Sequence, residues 1–173
     1  MFGFEKKRQE EIIAVLIDAT KVLNRSLAQL LSRIDPSASQ DPFKLSYYSM
    51  SAVSYAFFMY SNEPDDKKIE ILDTYASRLI SKFHEDYKQT FDPTTHSSAR
   101  LIRDYQNAHA GYSELLHNTF GTANGHPEVT MMTLLWVNVT GKTLQGKMIE
   151  LMLASAELVK CTGEAFNMFR HRV

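Results

Sequence analysis

The sequence has little cysteine, glycine or proline, and its charges almost cancel. It contains one cysteine, seven glycines and five prolines in 173 residues. A single cysteine, Cys161, allows no disulfide within this chain, which is typical of a reducing compartment and favours a cytoplasmic location. Lys and Arg number 19 against 20 Asp and Glu, giving a formal net charge of −1. That balance offers no bulk attraction for nucleic acid or an anionic membrane, so we expect neither partner.

Long apolar runs are also scarce. The basic residues Lys6 and Arg8 precede the apolar run 12–17, but Asp18 ends that run and no cleavage site follows, so no signal peptide is predicted. The longest uncharged stretch, 45–62, contains repeated Ser and Tyr, whose polar groups hydrocarbon would leave unsatisfied. It is predicted to be a buried helix of a soluble protein and not a membrane span.

Apolar residues recur at helical spacing along most of the chain, and the prolines divide it into segments. Four of the five prolines follow an acidic residue, which suits a helix start because the carboxylate accepts from free N–H groups. A chain of this length can bury about two-thirds of its unfolded surface in one core. The sequence therefore predicts an all-α fold, a single domain over residues 1–173, built as a bundle of about five largely antiparallel helices. The predicted helices are 5–34, 42–61, 64–87, 97–120 and 127–170.

Two of these segments have unusual patterns. Segment 42–61 carries aromatic residues on all sides, which is typical of a helix at the centre of a bundle or in an interface. The stretch 129–139 is apolar and β-branched enough for a buried strand, although such a strand would have no partner elsewhere in the sequence. We favour a helix there and keep the strand as the alternative. Gly141 and Gly146 predict a kink or break in the long last segment.

Familiar catalytic and metal-binding motifs are incomplete. Residues 141–143, Gly-Lys-Thr, resemble the end of a phosphate-binding loop, but Trp136 stands where that loop needs a glycine. Glu114 and His117 have the spacing of half a di-iron site, yet the motif does not recur and the pair is predicted to face water. We therefore expect no catalytic residues, no metal and no cofactor. This favours a non-catalytic protein over an enzyme, although residues distant in sequence can converge.

The favoured function is protein–protein interaction of a regulatory or adaptor type. The second and fifth segments offer more apolar surface than five helices readily bury, so we expect self-association, with a homodimer as the simplest closed form. The sequence also has eight methionines and eighteen Phe plus Tyr. Surfaces rich in these residues adapt well to partner helices.

The alternative function is binding of a small apolar ligand that is haem-like, planar or amphipathic, between the second, fourth and fifth segments. Bulky aromatic residues on several faces are hard to pack without a void, and a void edged by His and Tyr suits such a ligand. His109 lies at the edge of the apolar stripe of its helix, where a half-buried, hydrogen-bonded histidine is the ordinary interpretation. The predicted ligand-binding residues are Tyr55, Phe58, Tyr105, His109, Tyr112 and Trp136.

Overall fold

The computed structural model describes residues 2–87, 97–121, 126–143 and 146–170, without the side chains of residues 2–4 and 170. Within these ranges the chain forms six α-helices and no strand, and the helices pack into one body. None of the described helices is both long and apolar enough to cross a membrane. The helices are α1 (Phe2–Ile34), α2 (Pro42–Tyr60), α3 (Asp65–Tyr87), α4 (Ser98–Phe120), α5 (Pro127–Thr140) and α6 (Met148–Arg170).

Helices α2 and α4 begin where the local sequence supplies a cap. Asp41 precedes Pro42, and its carboxylate accepts from the backbone N–H groups of Phe43 and Lys44 at 2.9 and 3.2 Å. At the start of α4 the Ser97 hydroxyl accepts from the third backbone N–H of the helix. These caps satisfy donors that have no partner inside a helix. The predicted bounds of α2, α3 and α4 consequently lie within one residue of the observed ones.

The prediction of about five helices was close but one helix short, because the last segment is divided in two. Gly141 adopts a left-handed conformation with φ of 67°, and its N–H donates to the Val137 carbonyl at 2.9 Å. Gly146 also has a positive φ, of 79°. Both conformations suit glycine, which has no Cβ to clash; Gly141 caps the end of α5, and Gly146 lies two residues before α6. The interval 129–139 is helical within α5, so the strand alternative is wrong; Leu144, which belongs to the predicted helix, lies outside the described residues.

Helix α2 is the centre of the bundle and contacts each of the other five helices. Nearly all of its residues from Phe43 to Phe57 are buried, which the all-round apolar pattern predicted. Contacts along α1 and α2 run in opposite chain order, with Asn24 against Ser46 and Ala28 against Gln40, so these two helices are antiparallel. The pairs Phe43–Phe83 and Phe58–Lys68 show the same for α2 and α3.

The core contains several tyrosines whose hydroxyl groups are paired internally. The Tyr75 hydroxyl is hydrogen-bonded to Thr20, and the Tyr48 hydroxyl lies 3.0 Å from the Thr162 hydroxyl. Burial raises the pKa of both phenols, so they stay neutral. A buried hydroxyl is costly unless it has a partner. These pairs therefore tie α1 to α3 and α2 to α6 at fixed positions.

Candidate functional site

The six residues predicted to bind a ligand lie in several different surroundings. Tyr105, Tyr112 and Trp136 are buried in the core, and Tyr55 is half-buried. Phe58 is 41% exposed, and the Lys68 ammonium lies 5.0 Å from the centre of its ring. The Trp136 indole N–H is buried and has no hydrogen-bond partner among the described residues.

His109 is half-buried beside Tyr105, with ring centroids 5.7 Å apart. Its Nε2 lies 3.3 Å from the Ser113 hydroxyl, while its Nδ1 is buried without a partner in the described part of the chain. Burial lowers the pKa of His109, because the charged imidazolium is poorly solvated there. The side chain is therefore neutral near pH 7.

The other predicted residues make separate aromatic contacts. Tyr55 lies 6.0 Å from Phe166 of α6 and 6.5 Å from His117, centroid to centroid. Tyr112 meets Tyr48 edge-on at 5.0 Å. The ligand site defined by all six residues stays a prediction, and Tyr112 is the one of the six that lines the cleft described next.

A cleft of about 320 Å³ lies between α2, α4 and α5. We call it the α2–α4–α5 cleft. Helices α2 and α4 contribute side chains spaced by one or two turns, at positions 44 and 47 and at positions 104, 107, 108 and 112, and α5 contributes position 138. The lining residues are Lys44, Tyr47, Asp104, Asn107, Ala108, Tyr112 and Asn138.

Some polar groups of this cleft are paired with one another or with a neighbour, and others have no partner among the described residues. The Asn138 amide donates to the Tyr112 hydroxyl at 3.0 Å, and the Asp104 Oδ2 lies 3.9 Å from the Arg100 Nε. The Lys44 ammonium forms no ion pair in the ranges that the structure describes. Burial raises the pKa of Tyr112 to about 12. Burial and the negative charges of Asp104 and Asp41 raise the pKa of Tyr47, so the phenols of Tyr47 and Tyr112 both keep their protons.

Sequence reasoning missed most of this cleft. Of its lining residues only Tyr112 was named for a ligand, and Lys44 and Asp104 were not singled out. The spacing of three residues between Asp104 and Asn107 along α4 was visible in the sequence. Which helix faces meet is decided by long-range packing, which the spacing does not reveal.

A second feature is an apolar patch on the first turns of α6. We call it the α6 patch; its residues are Met148, Ile149, Met152 and Leu153, with exposed fractions of 53, 73, 56 and 73%. These positions share one side of the helix, opposite the buried Leu151 and Leu158. Exposed Ala156 continues the same side toward the C-terminus. Val22 is by contrast the only large exposed apolar residue among the described side chains of α1, which is normal for a protein surface.

No protein-family model matches this chain, no curated protein matches its sequence, and no solved structure matches its fold. Among the described residues, no three His, Cys, Asp or Glu side chains come together as a metal ion would require. Function is therefore inferred from the two features of the molecule itself, the α6 patch and the α2–α4–α5 cleft.

Proposed function

We propose that the protein acts by binding another protein chain, in a regulatory or adaptor role, and that it forms a homodimer. The α6 patch is the observation that carries this proposal. Four large apolar side chains on one helix side, each more than half exposed, lose unfavourable contact with water when a second surface covers them. A contact across a two-fold axis closes after two copies, because both chains use the same surface.

Charges on α6 favour a second copy as the occupant. Glu150 lies beside the patch and Lys160 two to three turns later, and both side chains are exposed. A two-fold axis near Ala156 would run two α6 helices antiparallel and place the α6 patch of each chain against the later turns of the other α6, around Val159 and Gly163. It would also bring Glu150 of each chain close to Lys160 of the other. The small Ala156 side chain at the crossing point would allow the helices to approach closely. Opposite charges at the rim of an apolar contact fix its orientation.

Sedimentation velocity at tens of micromolar protein tests this proposal. We expect a dimer for the natural sequence and a monomer for the double variant Ile149→Glu, Leu153→Glu, because two carboxylates per chain would be buried unpaired in the interface. Val22→Glu is the matched control, since Val22 is 50% exposed and stands outside the patch. A monomeric natural protein, or a dimer that the double variant leaves intact, would refute self-association through this surface.

A cytoplasmic location is part of the same proposal. Cys161 is half-buried, and burial raises the pKa of its thiol, so little reactive thiolate forms at neutral pH. A single, protonated cysteine suits a reducing compartment. Fractionation of cells expressing the full chain with a short tag tests the location, and recovery outside the cytoplasm would refute it.

The α2–α4–α5 cleft favours a second function, the binding of a small molecule. Its volume lies near the lower end of the range for small-molecule pockets, about 300 to 1,000 Å³. Its lining is more polar than a haem-like or planar apolar ligand would require, because Lys44, Asp104 and two asparagines surround Tyr47 and Tyr112. Native mass spectrometry and an absorbance spectrum of the purified protein test the apolar version. A copurified pigment or lipid would support that version, and the mass of the bare chain would count against it.

A further inference from the structure

The α2–α4–α5 cleft has a charge arrangement that points to a particular class of ligand. We propose that it binds a small zwitterion, a molecule of amino-acid to dipeptide size that carries both a carboxylate and an ammonium group. This inference rests on the second proposed function, small-molecule binding at the same cleft. It adds the chemical class of the ligand and the group that recognises each charge.

One cation and one anion face the cleft from different helices. Lys44 of α2 and Asp104 of α4 line the same space, yet no ion pair joins them. Asp104 has Arg100 as a distant partner at 3.9 Å, and Lys44 has no charged partner in the described ranges. A ligand with one charge would satisfy one of these groups and desolvate the other without compensation. A zwitterion pairs with both, its carboxylate with Lys44 and its ammonium with Asp104.

Neutral hydrogen-bonding groups complete the recognition of a polar ligand. The Tyr112 hydroxyl accepts from Asn138, and its own proton has no acceptor among the described residues. The Tyr47 hydroxyl likewise has no hydrogen-bond partner in the part of the chain that the structure describes. Because both phenols keep their protons, each can donate to a ligand carboxylate or carbonyl oxygen. Asn107 adds an exposed amide that both donates and accepts.

Size and shape set the upper limit of the ligand. A cleft of about 320 Å³ is too small for a long peptide or a haem and suits an amino acid or a short dipeptide. The buried ring of Tyr47 and the Ala108 methyl give an apolar wall against which the ligand side chain can pack. Neutral sugars would leave the charges of Lys44 and Asp104 unused, and nucleotides would bring phosphate close to Asp104.

Ligand-observed NMR with the full-length protein tests the inference. The probes are the twenty protein amino acids and the dipeptide glycyl-tyrosine, each offered singly. Their N-acetylated forms, which lack the ammonium charge, and their C-amidated forms, which lack the carboxylate charge, are the first comparisons. Glucose, which has neither charge, is the second. We expect at least one zwitterion to bind and capping of either end to weaken it about tenfold or more, since each cap removes one charged hydrogen bond. Lys44→Gln should abolish the preference for the free carboxylate, and Asp104→Asn that for the free ammonium. Lys82→Gln and Asp86→Asn, which are exposed on α3 and do not line the cleft, are the matched controls.

The outcomes separate this inference from the function on which it rests. Charge-dependent binding that Lys44→Gln and Asp104→Asn remove, but the α3 variants do not, supports both. Equal binding of capped and uncapped compounds, or binding of glucose alone, would overturn the zwitterion and leave a small-molecule cleft in place. Absence of binding for every probe would overturn both.

Discussion

Helices α2 and α6 are both apolar, yet they meet opposite surroundings. In α2 nearly all residues from Phe43 to Phe57 are covered, because all five other helices contact it. In α6 the buried residues occupy one side, and the first turns expose Met148, Ile149, Met152 and Leu153 on another. Covering an apolar side chain lowers the free energy of the system, whichever chain supplies the covering surface. The comparison teaches that other helices of the same chain bury most of the apolar surface of α2, whereas the first turns of α6 keep apolar surface exposed to water.

Truncation of one apolar side chain in each helix should show the difference most clearly, as a large loss of unfolding free energy in α2 and a small one in α6. Phe57→Ala in α2 should lower the free energy of unfolding by about 3 to 5 kcal/mol, because it removes a fully buried ring and leaves a cavity. Leu153→Ala in α6 should change that free energy by about 0.5 kcal/mol or less. Urea denaturation at a protein concentration low enough to keep the chain monomeric measures both. Equal losses would show that α6 is already covered within one chain.

Removal of a tyrosine hydroxyl should lower the free energy of unfolding more in the core than in the cleft. Tyr48→Phe takes away the partner of a buried Thr162 hydroxyl and should cost about 1 to 2 kcal/mol of unfolding free energy. Tyr47→Phe, one residue away, removes a hydroxyl with no partner among the described residues and should cost about 0.5 kcal/mol or less. Parallel urea titrations compare the two variants, which have the same chemical change. A large loss for Tyr47→Phe would mean that its hydroxyl supports the fold and is not held free for a ligand.

Acid should weaken the bundle through His109, on the side of α4 next to Tyr105. The pKa of His109 lies below its ordinary value near 6.5, so the unfolded chain binds a proton at a higher pH than the folded chain does. Stability should therefore fall as pH drops below about 6.5, until the pKa of the folded state is reached. His109→Gln should make the free energy of unfolding less dependent on pH between about 7 and 5.5. An unchanged slope in that variant would assign the acid sensitivity to other groups.

Exchange of two charges on α6 should have the smallest effect and the most specific one. Glu150→Lys alone, or Lys160→Glu alone, should weaken the dimer several-fold, because exposed pairs contribute about 0.2 to 1 kcal/mol each and the two-fold axis counts every change twice. The double variant should regain the natural affinity, since the charges are then exchanged on both chains. Sedimentation equilibrium provides the dissociation constants. Additive weakening in the double variant would exclude the antiparallel arrangement.

The central position of α2 could be predicted from the sequence, because an apolar surface on all sides of a helix requires neighbours on all sides. The helix starts could be predicted too, since Asp41 and Ser97 cap through contacts only two or three residues long. Gly141 and Gly146 were predicted to mark a kink or a break in the last segment. The structure has a break there, because Gly141 follows the end of α5 and Gly146 lies two residues before α6.

The candidate sites were harder to predict, for a different physical reason. Aromatic bulk suggested a void beside Tyr105, His109 and Trp136, whereas the cleft next to Tyr112 is lined mainly by polar residues. A polar residue at a helix surface has the same local pattern whether it faces open solvent or a cleft between helices. The exposure of Met148 and Leu153 also depends on where neighbouring helices end. Both features arise from contacts between residues far apart in sequence, which periodicity does not encode.

The glycine break between α5 and α6 allows α6 to pack against the helices of its own chain and not against those of a second copy. Lys142 Nζ pairs with Asp35 at 2.9 Å and Lys147 Nζ donates to the Ile34 carbonyl at 3.3 Å, so the chain is held against the end of α1 on either side of Gly146. Alanine at positions 141 and 146 would penalise the positive φ angles and favour one continuous rod. A rod could not turn back to place Leu158 and Phe169 in its own core. α6 would then complete the bundle of a neighbouring molecule, and reciprocal exchange of this helix would give a domain-swapped dimer.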